Sequence, residues 1–125
     1  VNNGIPQPKA REICQKEDAS LVSVHDQDKD FFVNSVVSIF GPKKKYWLGL
    51  ENDGSDWHWD DKTVYPGSFT EWDTNQPDTN DGKLLCAYAT QATGLNVRWT
   101  AANCAIGGII YVCESAPCSR GNKNC

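Results

Sequence analysis

Six cysteines, two histidines and a small cluster of amide and carboxylate side chains are the residues of this 125-residue sequence with chemistry to offer. The cysteines stand at positions 14, 86, 104, 113, 118 and 125, none in a Cys-x-x-Cys pair, and the imidazoles are His25 and His58. With no such pair and only two histidines, the cysteines favour oxidised pairing over metal ligation, and with it a secreted, extracellular setting is expected. No Ser-His-Asp or Cys-His spacing is legible and neither histidine stands beside a paired acid, so no catalytic residue is assigned and no enzyme is expected. The remaining polar candidates, Gln76, Asp78, Asn80 and Asp81, fall within residues 65–83, a stretch of little periodicity punctuated by aromatic, proline and glycine residues. A loop that long inside a compact domain is usually functional or disordered.

The length suits a single domain over residues 1–125, with a short cysteine-containing tail over 115–125. No apolar run is long enough to cross a bilayer, and no basic-then-apolar segment opens the chain, which reads as a mature or trimmed product. Twelve Lys and Arg against sixteen Asp and Glu give a net charge of −4. Lys43, Lys44 and Lys45 form the only basic cluster and read as a solvated loop before a strand, so nucleic acid is not an expected partner. No internal repeat or low-complexity tract is visible.

The elements that must position these residues follow from periodicity. A helix is predicted over 9–14, opened after Pro8, with Ala10, Ile13 and Cys14 on its apolar face. A short strand is predicted over 21–24. An acidic start then opens a second helix over about 28–40, with Phe32, Val33, Val36, Val37 and Phe40 as its core face and Gly41-Pro42 as its stop. Strands are predicted over 46–50, before the Asn52-Asp53-Gly54 turn, and over 57–59, 84–89, 96–99 and 108–113. Trp47, Trp57, Trp59, Trp72 and Trp99 read as packing residues, and His25 and His58 as surface or strand residues. Two helices followed by short strands make an α+β domain with an antiparallel sheet.

The ordered set Cys14, Leu21-Val22-Ser23-Val24, Trp47-Leu48-Gly49-Leu50, Trp57-His58-Trp59, Trp72, Gln76-Pro77-Asp78, Cys86, Trp99, Cys104 and Tyr111-Val112-Cys113-Glu114 resembles the C-type lectin-like domain over about residues 9–114. Each piece is weak alone, and the order is specific. The resemblance implies the C-type lectin-like fold, with two helices, small antiparallel sheets and a long irregular loop. It also implies the disulfides Cys14–Cys113 and Cys86–Cys104, which spacing alone does not choose among the pairings that six cysteines allow. Closing a loop of about a hundred residues stabilises by on the order of 4 to 5 kcal/mol in the chain-entropy model. Cys118 and Cys125 are left to pair with each other across a turn eased by Gly121, the alternative being a free or intermolecular role. The family's aromatic strand before the first helix has no counterpart in residues 1–8, so either the chain is trimmed or a sheet edge is open to a partner.

In sugar-binding members of that family a Glu-Pro-Asn or Gln-Pro-Asp triplet, with a cis proline, holds calcium and meets two vicinal sugar hydroxyls. Gln-Pro-Asp is the order associated with galactose-type sugars. The resemblance therefore places a ligand site at Gln76 and Asp78, with Asn80 and Asp81 beside them, and a weak calcium site on Gln76 and Asp78. Calcium takes six to eight oxygen ligands at about 2.3 to 2.6 Å. This sequence departs from the pattern with Leu84 two residues before Cys86, with Thr100-Ala101 after Trp99 in place of Asn-Asp, and with Thr79 and Leu85 at the auxiliary positions. Too little fixed charge remains for tight calcium binding. The expected function is a non-enzymatic recognition module for a glycan or glycoprotein, calcium ligands largely degenerate. The alternative is a calcium-independent domain of the same fold that binds a protein ligand.

Overall fold

Pro8 sits in the first turn of α1 (Gln7–Lys16), where a missing backbone N–H costs nothing, so the helix starts two residues ahead of the predicted segment. Ala10 and Cys14 are fully buried on its inner face, joined by Gln7. The computed structural model describes residues 4–41, 44–67, 69–79, 85–91 and 97–115.

The strand predicted over 21–24 is displaced to β1 (Ala19–Leu21). Residues 22–24 continue without regular pairing, and all three are buried, so the alternation in their sequence does not mark a wet face. Val22 N donates to Val112 O at 3.1 Å and Gly49 N donates to Val22 O at 2.8 Å, which clamps this segment between two others.

Asp26 caps α2 (Gln27–Ser38) by accepting from Lys29 N at 2.7 Å, with Asp28 and Asp30 in the first turn. The buried stripe is Asp30, Val33, Asn34 and Val37, spaced at i, i+3, i+4 and i+7. Phe32 is 64% exposed and Phe40 47%, so the predicted core face is corrected: two polar residues occupy the stripe that a count of apolar residues gives to phenylalanine.

β2 (Lys45–Asn52) is the centre of the larger sheet. β3 (Trp57–Trp59) pairs on one side of it, and β4 (Leu85–Gln91) and then β5 (Val97–Asn103) follow on the other, all antiparallel. The single strand predicted over 108–113 divides into β6 (Ile110–Tyr111), which lies parallel to β2, and β7 (Cys113–Ser115), which pairs antiparallel with β1. The architecture is α+β, two helices with small antiparallel sheets and a long irregular connection between β3 and β4.

The core has two lobes. Between α2 and the large sheet lie Val24, Val33, Val37, Leu48, Leu50, Trp59 and Trp99. On the α1 side lie Ala10, Cys14, Leu21, Trp47, Cys86, Cys104 and Ile109. The bridge Cys14–Cys113, spanning 99 residues, ties α1 to β7, and Cys86–Cys104 ties β4 to the turn after β5. Cys118 and Cys125 lie outside the described residues. Residues 5–7, for which no strand was expected, dock along 104–109: Ile5 N donates to Ile109 O, Gln7 N donates to Cys104 O, and Ile5 O accepts from Trp47 Nε1 at 2.7 Å. No helix among the described residues is long and apolar enough to cross a membrane.

Candidate functional site

The β3–β4 connection is held by its own aromatic residues. Trp99 N donates to Glu71 O at 2.8 Å and Asp73 N donates to Trp99 O at 2.9 Å, so residues 71–73 run along the outer edge of β5. Between those two bonds the Trp72 ring packs 4.9 Å from Trp57 and 5.7 Å from Trp99, and its Nε1 donates to the Tyr65 hydroxyl at 2.9 Å. Phe69 meets Trp99 edge-on. Tyr65, Phe69 and Trp72 thus bind the loop to the core, and Trp47, Trp57, Trp59 and Trp99 are buried packing residues.

With 71–73 fixed, Gln76 N donates to Asp73 O at 3.0 Å and the chain turns through a cis Gln76–Pro77 peptide. Gln76 Oε1 accepts from Ala101 N and from Asp78 N, each at 3.1 Å. A carbonyl oxygen has two lone pairs, and both are directed at backbone amides. Gln76 is half-buried, whereas Asp78 and Thr79 are exposed. Leu85 is a core residue, 5% exposed, and Thr100 and Ala101 are half-buried on β5. Asn80, Asp81 and Leu84 lie outside the described residues.

Residues 4–115 match the family described as the Lectin C-type domain. The chain belongs to the C-type lectin domain family. It is 33% identical over 94 residues to C-type lectin domain family 10 member A of Rattus norvegicus, covering 70% of this chain and 29% of that protein. It is 36% identical over 90 residues to asialoglycoprotein receptor 1 of Mus musculus, covering 68% of this chain and 30% of that protein. The chain thus spans under a third of the length of either relative. Among solved structures, the C-type lectin domain of murine dendritic cell inhibitory receptor 2 in complex with N-glycan superposes with a TM-score of 0.76 at 23% identity, covering 93% of this chain and 87% of that one.

Membership of the C-type lectin domain family raises calcium as an expected ion at the triplet, and the described residues do not fit it. A cation needs oxygen lone pairs, and those of Gln76 Oε1 face two N–H groups. Ala101, whose amide takes one of those lone pairs, has no side-chain oxygen to offer. Among the described residues no group of three or more His, Cys, Asp or Glu is arranged to hold a metal.

A separate recess of about 460 Å³ lies between β1, β7 and the start of α2. Ser23 N donates to Glu114 Oε1 at 2.9 Å, the Ser23 hydroxyl lies 2.6 Å from Asp61 Oδ2, and Lys29 Nζ donates to Glu114 Oε2 at 2.6 Å. Burial works against the Asp61 carboxylate, yet the Ser23 and Thr63 donors hold its pKa below the usual value. These charges latch β7, α2 and the turn after β3 together. His25 faces Thr63 at 2.7 Å and packs against Trp59, so its ring is a packing group beside that latch, while His58 stands exposed on β3 and meets Asp53 at 2.9 Å.

Two features of this region were not read from the sequence. The inward turn of Gln76 depends on an amide 25 residues away. The outer face of β4 and β5, where Tyr88 and Arg98 come together, depends on strand register.

Proposed function

We propose that this C-type lectin domain is a non-enzymatic extracellular recognition module that binds galactose-type carbohydrate directly through the 65–83 loop, without need of calcium. Gln76 and Asp78 form the centre of the surface, with Asn80 and Asp81 contributing from the same loop. Supporting the ligand class are the family, with relatives such as asialoglycoprotein receptor 1, and the Gln-Pro-Asp order itself. The observation that carries the reading is the pair of hydrogen bonds that Gln76 Oε1 accepts from the Ala101 and Asp78 amides. It turns the carbonyl inward and makes the amide NH₂ the part of Gln76 available to a ligand. Beside it, the exposed Asp78 carboxylate is an acceptor. A donor next to an acceptor suits two vicinal hydroxyls, each of which can give and take a hydrogen bond. The disulfides support the extracellular setting. The chain acts as one domain over 1–125, with Cys118 paired to Cys125.

A glycan array probed in calcium and in chelator tests this. Galactose-terminated glycans are expected to be retained in both conditions and lost on Asp78→Ala. A blank array at high protein concentration, or binding abolished by chelator, would overturn it.

The second reading is a calcium-independent protein ligand. It is favoured by an apolar surface at α2, where Phe32 is 64%, Ile39 80% and Phe40 47% exposed. It predicts a blank array together with capture of a protein ligand that Phe32→Ser weakens.

A further inference from the structure

Strands turn alternate side chains to opposite faces, so the residues of β4 and β5 that do not pack on α2 share the outer face of the large sheet. Register places Lys45, Thr90 and Arg98 in one row across β2, β4 and β5, and Tyr88 and Thr100 in the next row. Neighbouring strands lie about 4.8 Å apart, so a hydroxyl stands between two cations whose backbones are roughly 10 Å apart. With Asp73 of the loop these residues line a cleft of about 410 Å³.

The floor of the cleft is aromatic. Trp47, fully buried, meets the half-buried Tyr88 ring edge-on at 6.2 Å. Lys45 Nζ lies 5.2 Å from the centre of that ring, and among the described residues no carboxylate pairs with it. Arg98 pairs with Glu71 through one terminal nitrogen, which leaves other N–H groups of its five-donor fork. Residues 71–73 run along the outer edge of β5, so Asp73 stands at one end of the cleft and Lys45, two strands away, at the other. The cleft is polarised, with an uncompensated cation at the β2 end and the Asp73 carboxylate at the β5 edge.

The geometry points to a second ligand site on this face, for a pyranose bearing one acidic group, a carboxylate or a sulfate ester. The anion lies over the Thr90 hydroxyl between Lys45 and Arg98, the apolar side of the ring rests on Tyr88, and the sugar hydroxyls face Thr100 and Asp73. No metal takes part. The site shares with the loop surface proposed above the class of ligand and, at its edge, Asp73 of the same loop, while its other residues lie on the sheet.

Titration of the ¹⁵N-labelled full chain in chelator, followed by amide shifts, tests it with three probes: lactose, a sulfated lactose and sialyllactose. One or both acidic probes are expected to move the amides of Lys45, Thr90 and Arg98 saturably, and their comparison tells sulfate from carboxylate. Lactose is expected to leave those amides still. Lys45→Gln, an exposed change that keeps the fold, is expected to weaken the acidic probe by roughly tenfold. Asp78→Ala is expected to leave it unchanged. The proposal is overturned if no acidic probe moves that row, if the shifts centre on 76–78 alone, or if Lys45→Gln binds as well as the parent. If lactose fails at the loop while acidic probes still bind the sheet face, the loop reading falls and this one stands.

Discussion

Asp30 lies on the inner face of α2 with no exposed surface, and burial, reinforced by the nearby Glu71 carboxylate, pushes its carboxyl from 3.8 up to about 6. Gln27 and Arg98 pull in the opposite direction without cancelling the effect. The folded chain therefore binds this proton more tightly than the unfolded chain does. The stability that results is fully present below the unfolded value near 3.8 and is lost as pH rises through about 6. At neutral pH the ionised carboxylate costs on the order of 2 to 3 kcal/mol. Asp30→Asn is expected to raise the urea midpoint near neutral pH and to flatten the pH dependence between about 4 and about 6, and an unchanged profile would contradict this. From the sequence Asp30 is visible only as an acid in the first turn of a helix. Its burial comes from the rotation of α2 about its axis, which tertiary packing sets. Gln76 is the parallel case: its type and place in a motif are legible, but the direction of its oxygen is chosen by the Ala101 amide on another element.

Among the elements, β2 was the most legible, because Trp47-Leu48-Gly49-Leu50 is bounded by lysines and a turn, and it spans Lys45–Asn52 as a central strand should. Gly49 shows what holds it there. A Cβ at that position would stand 2.7 Å from Leu21 O and 3.1 Å from the Asp60 Cβ, so the close approach of β2 to β1 requires a residue without a side chain. Gly49→Ala is expected to destabilise by on the order of 1 to 3 kcal/mol, read as a lower urea midpoint, and a midpoint equal to the parent would show that β1 moves aside without cost. The elements that were misread share a cause. Residues 22–24 alternate like a strand but are buried on all sides by long-range partners. Residues 108–113 look like one strand but divide where Val112 O accepts from Val22 N. In α2 two of the four buried positions go to Asp30 and Asn34, while Phe32, and Phe40 just past the end of the helix, face outward. Local pattern reports propensity, and in each case a contact between distant segments decided the outcome.

At the scale of the whole molecule the α+β layout and the order of its elements were legible, because the tryptophan and cysteine positions that carry the resemblance are the same ones that build the two core lobes. The bridge spanning 99 residues and the docking of residues 5–7 onto 104–109 bring both ends of the described chain to one side of the core. That leaves the 71–79 loop and the outer face of β4 and β5 as neighbouring surfaces on a rigid support. We propose no metal at either surface: the loop has turned the Gln76 amide oxygen onto the backbone, and the sheet face offers side-chain charge beside an aromatic ring. Thermal unfolding of the full chain in millimolar calcium and in chelator tests this most directly, because any ion held by the native state alone must raise its stability. The melting temperature is expected to be the same in both. A clear rise in calcium would contradict the inward turn of Gln76 and restore the ion to the binding loop.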